Sequence, residues 1–125
     1  MASLQKHVEV PDTLHDARWT ARPVGVTSGV PGPTDLELLA WFPVADADRA
    51  AVEASLGAPL GPPAEVRVPA ALAGALPDGA IAGREGEVVV LEGTPWPTVA
   101  FENLLWHGAW AVWTDGGIAV WLHTR

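Results

Sequence analysis

Cysteine and tyrosine are absent from this chain, and methionine and lysine occur once each. Without cysteine there is no disulfide, no thiolate metal site and no thiol nucleophile. No apolar run reaches the roughly 18 residues of a membrane-spanning helix, so no membrane partner is expected. The first ten residues, Met1 to Val10, lack the apolar centre of a secretory signal, and the expected location is the cytoplasm. Positive charge is scarce: seven basic residues face fifteen acidic ones, for a formal net charge of −8. That field repels phosphates and no basic run offsets it, which argues against nucleic acid. Glycine-rich phosphate loops, Gly-x-Ser-x-Gly and His-Glu-x-x-His are all missing. The four histidines, His7, His15, His107 and His123, are scattered along the chain. Neither a metal nor a cofactor is expected.

What is present reads as one globular domain over residues 1–125, with 49% hydrophobic and 18% charged residues. Heavy use of Ala, Gly, Pro and Arg beside a single Lys suggests a GC-rich bacterial coding sequence. The acidic excess is a solubility device or a lure for a basic protein partner.

Trp106 to His123 is the best specified stretch, W-H-G-A-W-A-V-W-T-D-G-G-I-A-V-W-L-H. It holds Trp106, Trp110, Trp113 and Trp121, four of the seven tryptophans. Asp115-Gly116-Gly117 between β-branched and aromatic runs predicts a β-hairpin. Its centre is Asp115-Gly116, Gly116-Gly117 or a three-residue loop, and a one-residue slip exchanges the faces. Both runs are apolar on both faces, so both must be covered, and the hairpin belongs in a sheet interior.

Upstream, Val8–Val10 is a short strand candidate, and Trp19–Thr27 is a strand interrupted by Pro23, hence an edge or bulged one. Leu36–Phe42 is a strand stopped at Pro43. A short helix, Ala47–Leu56, follows, capped by Asp46 or Asp48 and ended at Gly57. Ala64–Val68 and Glu87–Leu91 are strands. Pro69–Leu76 reads as a second helix with proline in its first turn. Pro95–His107 reads as a third, because Phe101, Leu104 and Leu105 share a helical face. The expected fold is therefore α+β, a mainly antiparallel twisted sheet with three short helices and the Trp-rich C-terminal hairpin.

Trp41 to Leu60, W-F-P-V-A-D-A-D-R-A-A-V-E-A-S-L-G-A-P-L, resembles the strand-to-helix junction of a glyoxalase/bleomycin-resistance module. The resemblance implies paired βαβββ units with metal-binding His and Glu on strands. The Leu36–Phe42 strand has no His, the second half of the chain does not repeat the pattern, and Glu92 is the only fitting position. The family is not assigned.

Chemistry has one candidate constellation. Asn103 and His107, four apart, are neighbours on a helix and share a face on a strand, and His123 returns toward them through the hairpin. Glu102 is a second-rank acid or base. Trp106, Trp110, Trp113, Trp121 and Phe101 are candidate walls for a ligand, against the plain alternative that they fill the core. The favoured reading is a protein for an apolar small molecule, extending to a cofactor-independent acid–base isomerase or cyclase. The alternative is a non-enzymatic inhibitor or immunity-type module whose acidic surface meets a basic partner, or a homodimer burying the hairpin.

Overall fold

The computed structural model describes residues 14, 16–24, 35–102 and 107–123. Two antiparallel sheets and a few short helices make up these residues. The expected strand Val8–Val10 lies outside them. The first sheet has five strands: β1 (Arg18–Val24), β2 (Asp35–Pro43), β6 (Pro95–Trp96), β7 (His107–Thr114) and β8 (Gly117–His123). Their order is β1-β2-β8-β7-β6. The second sheet, of three strands, comprises β3 (Ala64–Pro69), β4 (Gly83–Glu85) and β5 (Val88–Gly93) in the order β3-β5-β4.

The hairpin strands β7 and β8 lie inside the larger sheet, as their two-sided apolar pattern requires. β8 is flanked by β2 and β7 along its length, whereas β6 pairs with β7 only at Pro95↔Val112 and Trp96↔Ala111. Thr114 pairs with Gly117, so Asp115-Gly116 is the turn. Gly116 has φ 82° and Asp115 has no positive φ, which differs from the type I′ turn, where both residues do. The Trp41 indole N–H donates to Thr114 Oγ1 at 2.9 Å, and that hydroxyl donates to the Gly117 carbonyl at 3.1 Å, pinning the turn to β2.

Alternation along the strands divides the core in two. Leu38, Ala40, Phe42, Ala111, Trp113, Ile118, Val120 and Leu122 face one way, toward the helix α1 (Arg49–Leu56), Phe101 and Leu14. Leu39, Trp41, Val112 and Ala119 face the other way, toward Val68, Val89 and Leu91 of the second sheet and Leu72 and Leu76. Layers on both sides explain why neither face of the hairpin is polar. Gly93 permits a close approach of the sheets, since a Cβ there would lie 2.7 Å from the Trp113 carbonyl oxygen.

The helices differ from expectation in number and kind. α1 buries Val52 and Leu56 as anticipated and ends at Gly57, φ 102°. Asp48 occupies the cap position but makes no side-chain capping bond. A 3-10 turn, Asp46–Asp48, leads straight into α1, so Asp48 already has helical dihedrals (φ −97°, ψ −9°) rather than the extended ones of a capping residue. The second expected helix is a 3-10 helix, Ala70–Ala75, with Pro69 closing β3 before it. The third, Pro95–His107, is corrected: Pro95–Trp96 is strand β6, Val99–Phe101 is one 3-10 turn, and His107 opens β7. Proline at 95 and 97 removes two backbone donors, and an edge strand tolerates the first of them without loss. Pro23 likewise sits in the edge strand β1. Among the described residues no helix is long and apolar enough to cross a membrane.

Candidate functional site

Directly opposed residues of an antiparallel ladder point to the same face. The registers of the large sheet therefore generate rows. Thr20, Leu39, Trp121 and Trp110 form one row across β1, β2, β8 and β7. The next row toward the sheet end is Arg22, Glu37, His123 and the His107 position. A row that is apolar apart from Thr20 is thus followed at once by a row of ionisable residues.

A β-bulge makes the second row. Register shifts between Gly108 and Trp110, leaving Ala109 unpaired. Unbroken pairing from Trp110↔Trp121 would set Gly108 opposite His123. The extra residue sets His107 there instead, the use of a bulge to re-aim a strand position. The same shift sets Gly108 opposite Leu122, where only glycine fits: a Cβ would lie 1.2 Å from Thr98 Oγ1 and 2.6 Å from Glu102 Oε2.

Glu37 is buried, 7% exposed, in a strand otherwise apolar apart from its ends. Its Oε1 accepts from Arg22 Nε at 2.5 Å, and the Arg22 side chain is 38% exposed. A paired carboxylate is how a charge is kept in such a place. The two terminal nitrogens of Arg22 have no hydrogen-bond partner among the described residues. His123 is half-buried. In the neighbouring row Trp110 and Trp121 are also half-buried and meet edge to face, centroids 5.5 Å apart at 65°. The Trp121 indole nitrogen is buried with no hydrogen-bond partner.

The residues singled out in the sequence divide between the two sides of the sheet. Trp110, Trp121, His123 and the His107 position come together. Trp113 and Phe101 belong to the opposite, helical side, where Phe101 is 1% exposed and stacks at a tilt on Phe42. Trp113 is 6% exposed beneath the Arg49 guanidinium, 4.5 Å from its ring centroid. Glu102 is also on that side, over Gly108, and its Oε2 accepts from Thr98 Oγ1 at 2.8 Å. Asn103 and Trp106 lie outside the described residues.

Sequence reasoning missed Glu37 and Arg22. A signal existed: Glu37 is the lone charge inside the apolar run Leu36–Phe42. Its register opposite His123 has no local signature.

Two clefts lie elsewhere, on the three-stranded sheet. One, of about 270 Å³, is lined by Pro63, Ala64, Glu65, Glu92 and Gly93. The other, of about 200 Å³, has Glu65, Arg84, Glu85 and Glu92 around Val90. Glu92, the position that suited the glyoxalase-like pattern, is exposed and paired in register with Glu65. Among the described residues no three metal-ligating side chains gather to hold an ion. Comparison with protein-family models, curated proteins and solved structures finds no match to this chain.

Proposed function

We propose that the chain binds a small, largely apolar molecule at the end of the large sheet where Trp110 and Trp121 meet the Arg22–Glu37–His123 row. One observation carries the reading: a half-buried aromatic pair at the margin of its cluster borders ionisable residues in the next row. Binding sites combine an apolar wall with a few convergent polar groups, and these residues supply both. His123 further suits acid–base work, its imidazole being the side chain tuned nearest neutral pH. The cofactor-independent isomerase or cyclase is the catalytic form of this proposal.

The test is a titration with N-phenyl-1-naphthylamine, a neutral apolar probe, followed by tryptophan fluorescence. Saturable quenching at stoichiometric amounts, little changed by salt, is expected, since screening does not touch an uncharged ligand. Trp121→Ala should abolish it, and Trp113→Phe should not. Quenching lost equally in both variants would place the probe in a loosened core and overturn the reading.

The second reading, an acidic module for a basic protein, has its own observation. Glu65 and Glu92 are opposed and exposed on β3 and β5, with Glu85 near the same cleft. Like charges facing each other across strands cost stability, and a basic partner would relieve that cost.

A further inference from the structure

We propose that the ligand of this site carries a carboxylate, gripped end-on by the two terminal nitrogens of Arg22 while its apolar body lies against Trp121 and Trp110. The proposal rests on the ligand site argued above and adds the chemical class. It starts from how Arg22 is used. Nε is spent on Glu37, which fixes the plane of the guanidinium at the sheet end. The terminal pair is left without a hydrogen-bond partner among the described residues, in the planar fork that matches the two oxygens of a carboxylate.

Charge balance points the same way. The chain as a whole carries fifteen acidic against seven basic residues, yet this row sets one carboxylate, Glu37, beside one guanidinium and two histidine positions. Arg49 and Arg67 are likewise paired through Nε, but with the more exposed carboxylates of Glu53 and Glu85, Arg18 donates to the Gly74 carbonyl, and Arg84 makes no hydrogen bond or ion pair among the described residues. Among these ion pairs Arg22 alone is tied to a buried carboxylate, and its open donor pair lies in the row next to that of the two indoles.

Geometry sets the length of the occupant. Arg22 stands on β1 and Trp121 on β8, two strand spacings apart, or roughly 10 Å. An aryl or medium-chain alkyl acid spans that gap, its head at β1 and its body crossing His123 toward the indoles. In this pose His123 flanks the part of the molecule next to the carboxyl group.

The experiment compares 2-naphthoate with 2-naphthamide, equal in shape and different in charge, by tryptophan fluorescence titration. The wild-type chain should prefer the acid by about tenfold, the worth of one charge-assisted hydrogen-bonded contact. Arg22→Lys keeps a positive charge beside Glu37 but removes the fork, and the preference should collapse. Far-ultraviolet circular dichroism and melting of this variant establish that it is folded. Equal affinity for acid and amide, or a preference that survives Arg22→Lys, overturns the carboxylate assignment while leaving the apolar site standing. Binding of neither compound removes the site and the assignment together.

Discussion

The two sides of the large sheet use tryptophan differently. On the helical side Trp113 is sealed under α1 with Phe42, Phe101 and Ile118 around it in one cluster. On the other side Trp110 and Trp121 pack at the margin of their cluster and stay half-exposed. Both buried indole nitrogens, of Trp113 and Trp121, lack a hydrogen-bond partner, so that feature does not separate them. The neighbouring row does. Beyond Trp113 the helical side continues into Leu122 and Leu38, whereas beyond Trp121 the next residues are His123, Glu37 and Arg22. An aromatic followed by apolar residues is packing; an aromatic that ends against paired charges is the margin of a core, and it is at this margin that the proposed ligand would bind.

The largest expected effect breaks that comparison at the tryptophans. Trp113→Ala should cost about 3–5 kcal/mol, the usual loss for a large aromatic removed from a closed core. Trp121→Ala, starting half-exposed, should cost roughly 1–2 kcal/mol from the smaller area returned to water. Urea unfolding of the two variants, analysed with a common slope, measures the gap. Equal losses would mean that both sides are core and that the open margin is an accident of packing.

A smaller effect is expected at the bulge. Gly108→Ala drives a methyl into Thr98 Oγ1 and the Glu102 carboxylate, on the helical side. Overpacking of this kind costs about 1–3 kcal/mol. Relief requires either moving the Thr98–Glu102 clasp or slipping the register of β7. The nuclear Overhauser effects between the α-protons of facing residues distinguish the two. Retention of the Trp110↔Trp121 pairing with loss of His107↔His123 is the expected pattern, because the strain falls on the far side of the extra residue.

Much of this architecture was readable locally. The Asp115-Gly116 turn, the run Leu36–Phe42 and the Val52/Leu56 face of α1 all declare themselves within a few residues. The segment 95–102 did not. Its Phe101 is core, as helical spacing suggested, but it reaches the core from a single 3-10 turn after the edge strand Pro95–Trp96. Periodicity detects that a residue is buried more readily than how the chain delivers it. The site was half legible: His123 and the tryptophans stood out by type, and the hairpin brought them close. Glu37 and Arg22 joined them only through the β2–β8 and β1–β2 registers. Pairing between strands distant in sequence is a property of the assembled sheet, and the bulge at Ala109, marked in the sequence only by Gly108 before it, shifts that pairing by one residue.

The smallest effect concerns the lid over Trp113. Arg49 lies over the ring at 4.5 Å and also pairs with Glu53, Nε to Oε2 at 3.3 Å, one helical turn on. Half of the arginine side chain is exposed, so the ion pair is worth little in water, and pairs at this spacing contribute about 0.3–0.5 kcal/mol. The ring contact is worth about 0.5–1 kcal/mol at an exposed site. Arg49→Gln should therefore lower stability by no more than about 1.5 kcal/mol, the sum of the two ranges. A cycle with Glu53→Gln separates the contributions. If the loss from Arg49→Gln persists when residue 53 is neutral and is insensitive to salt, the guanidinium seals the helical side through the ring. If the loss vanishes in the Glu53→Gln background, Arg49 serves only its helix. Trp113 would then be closed off by α1 alone, and the contrast with the open pair Trp110 and Trp121 would rest on Val52, Leu56 and Phe101.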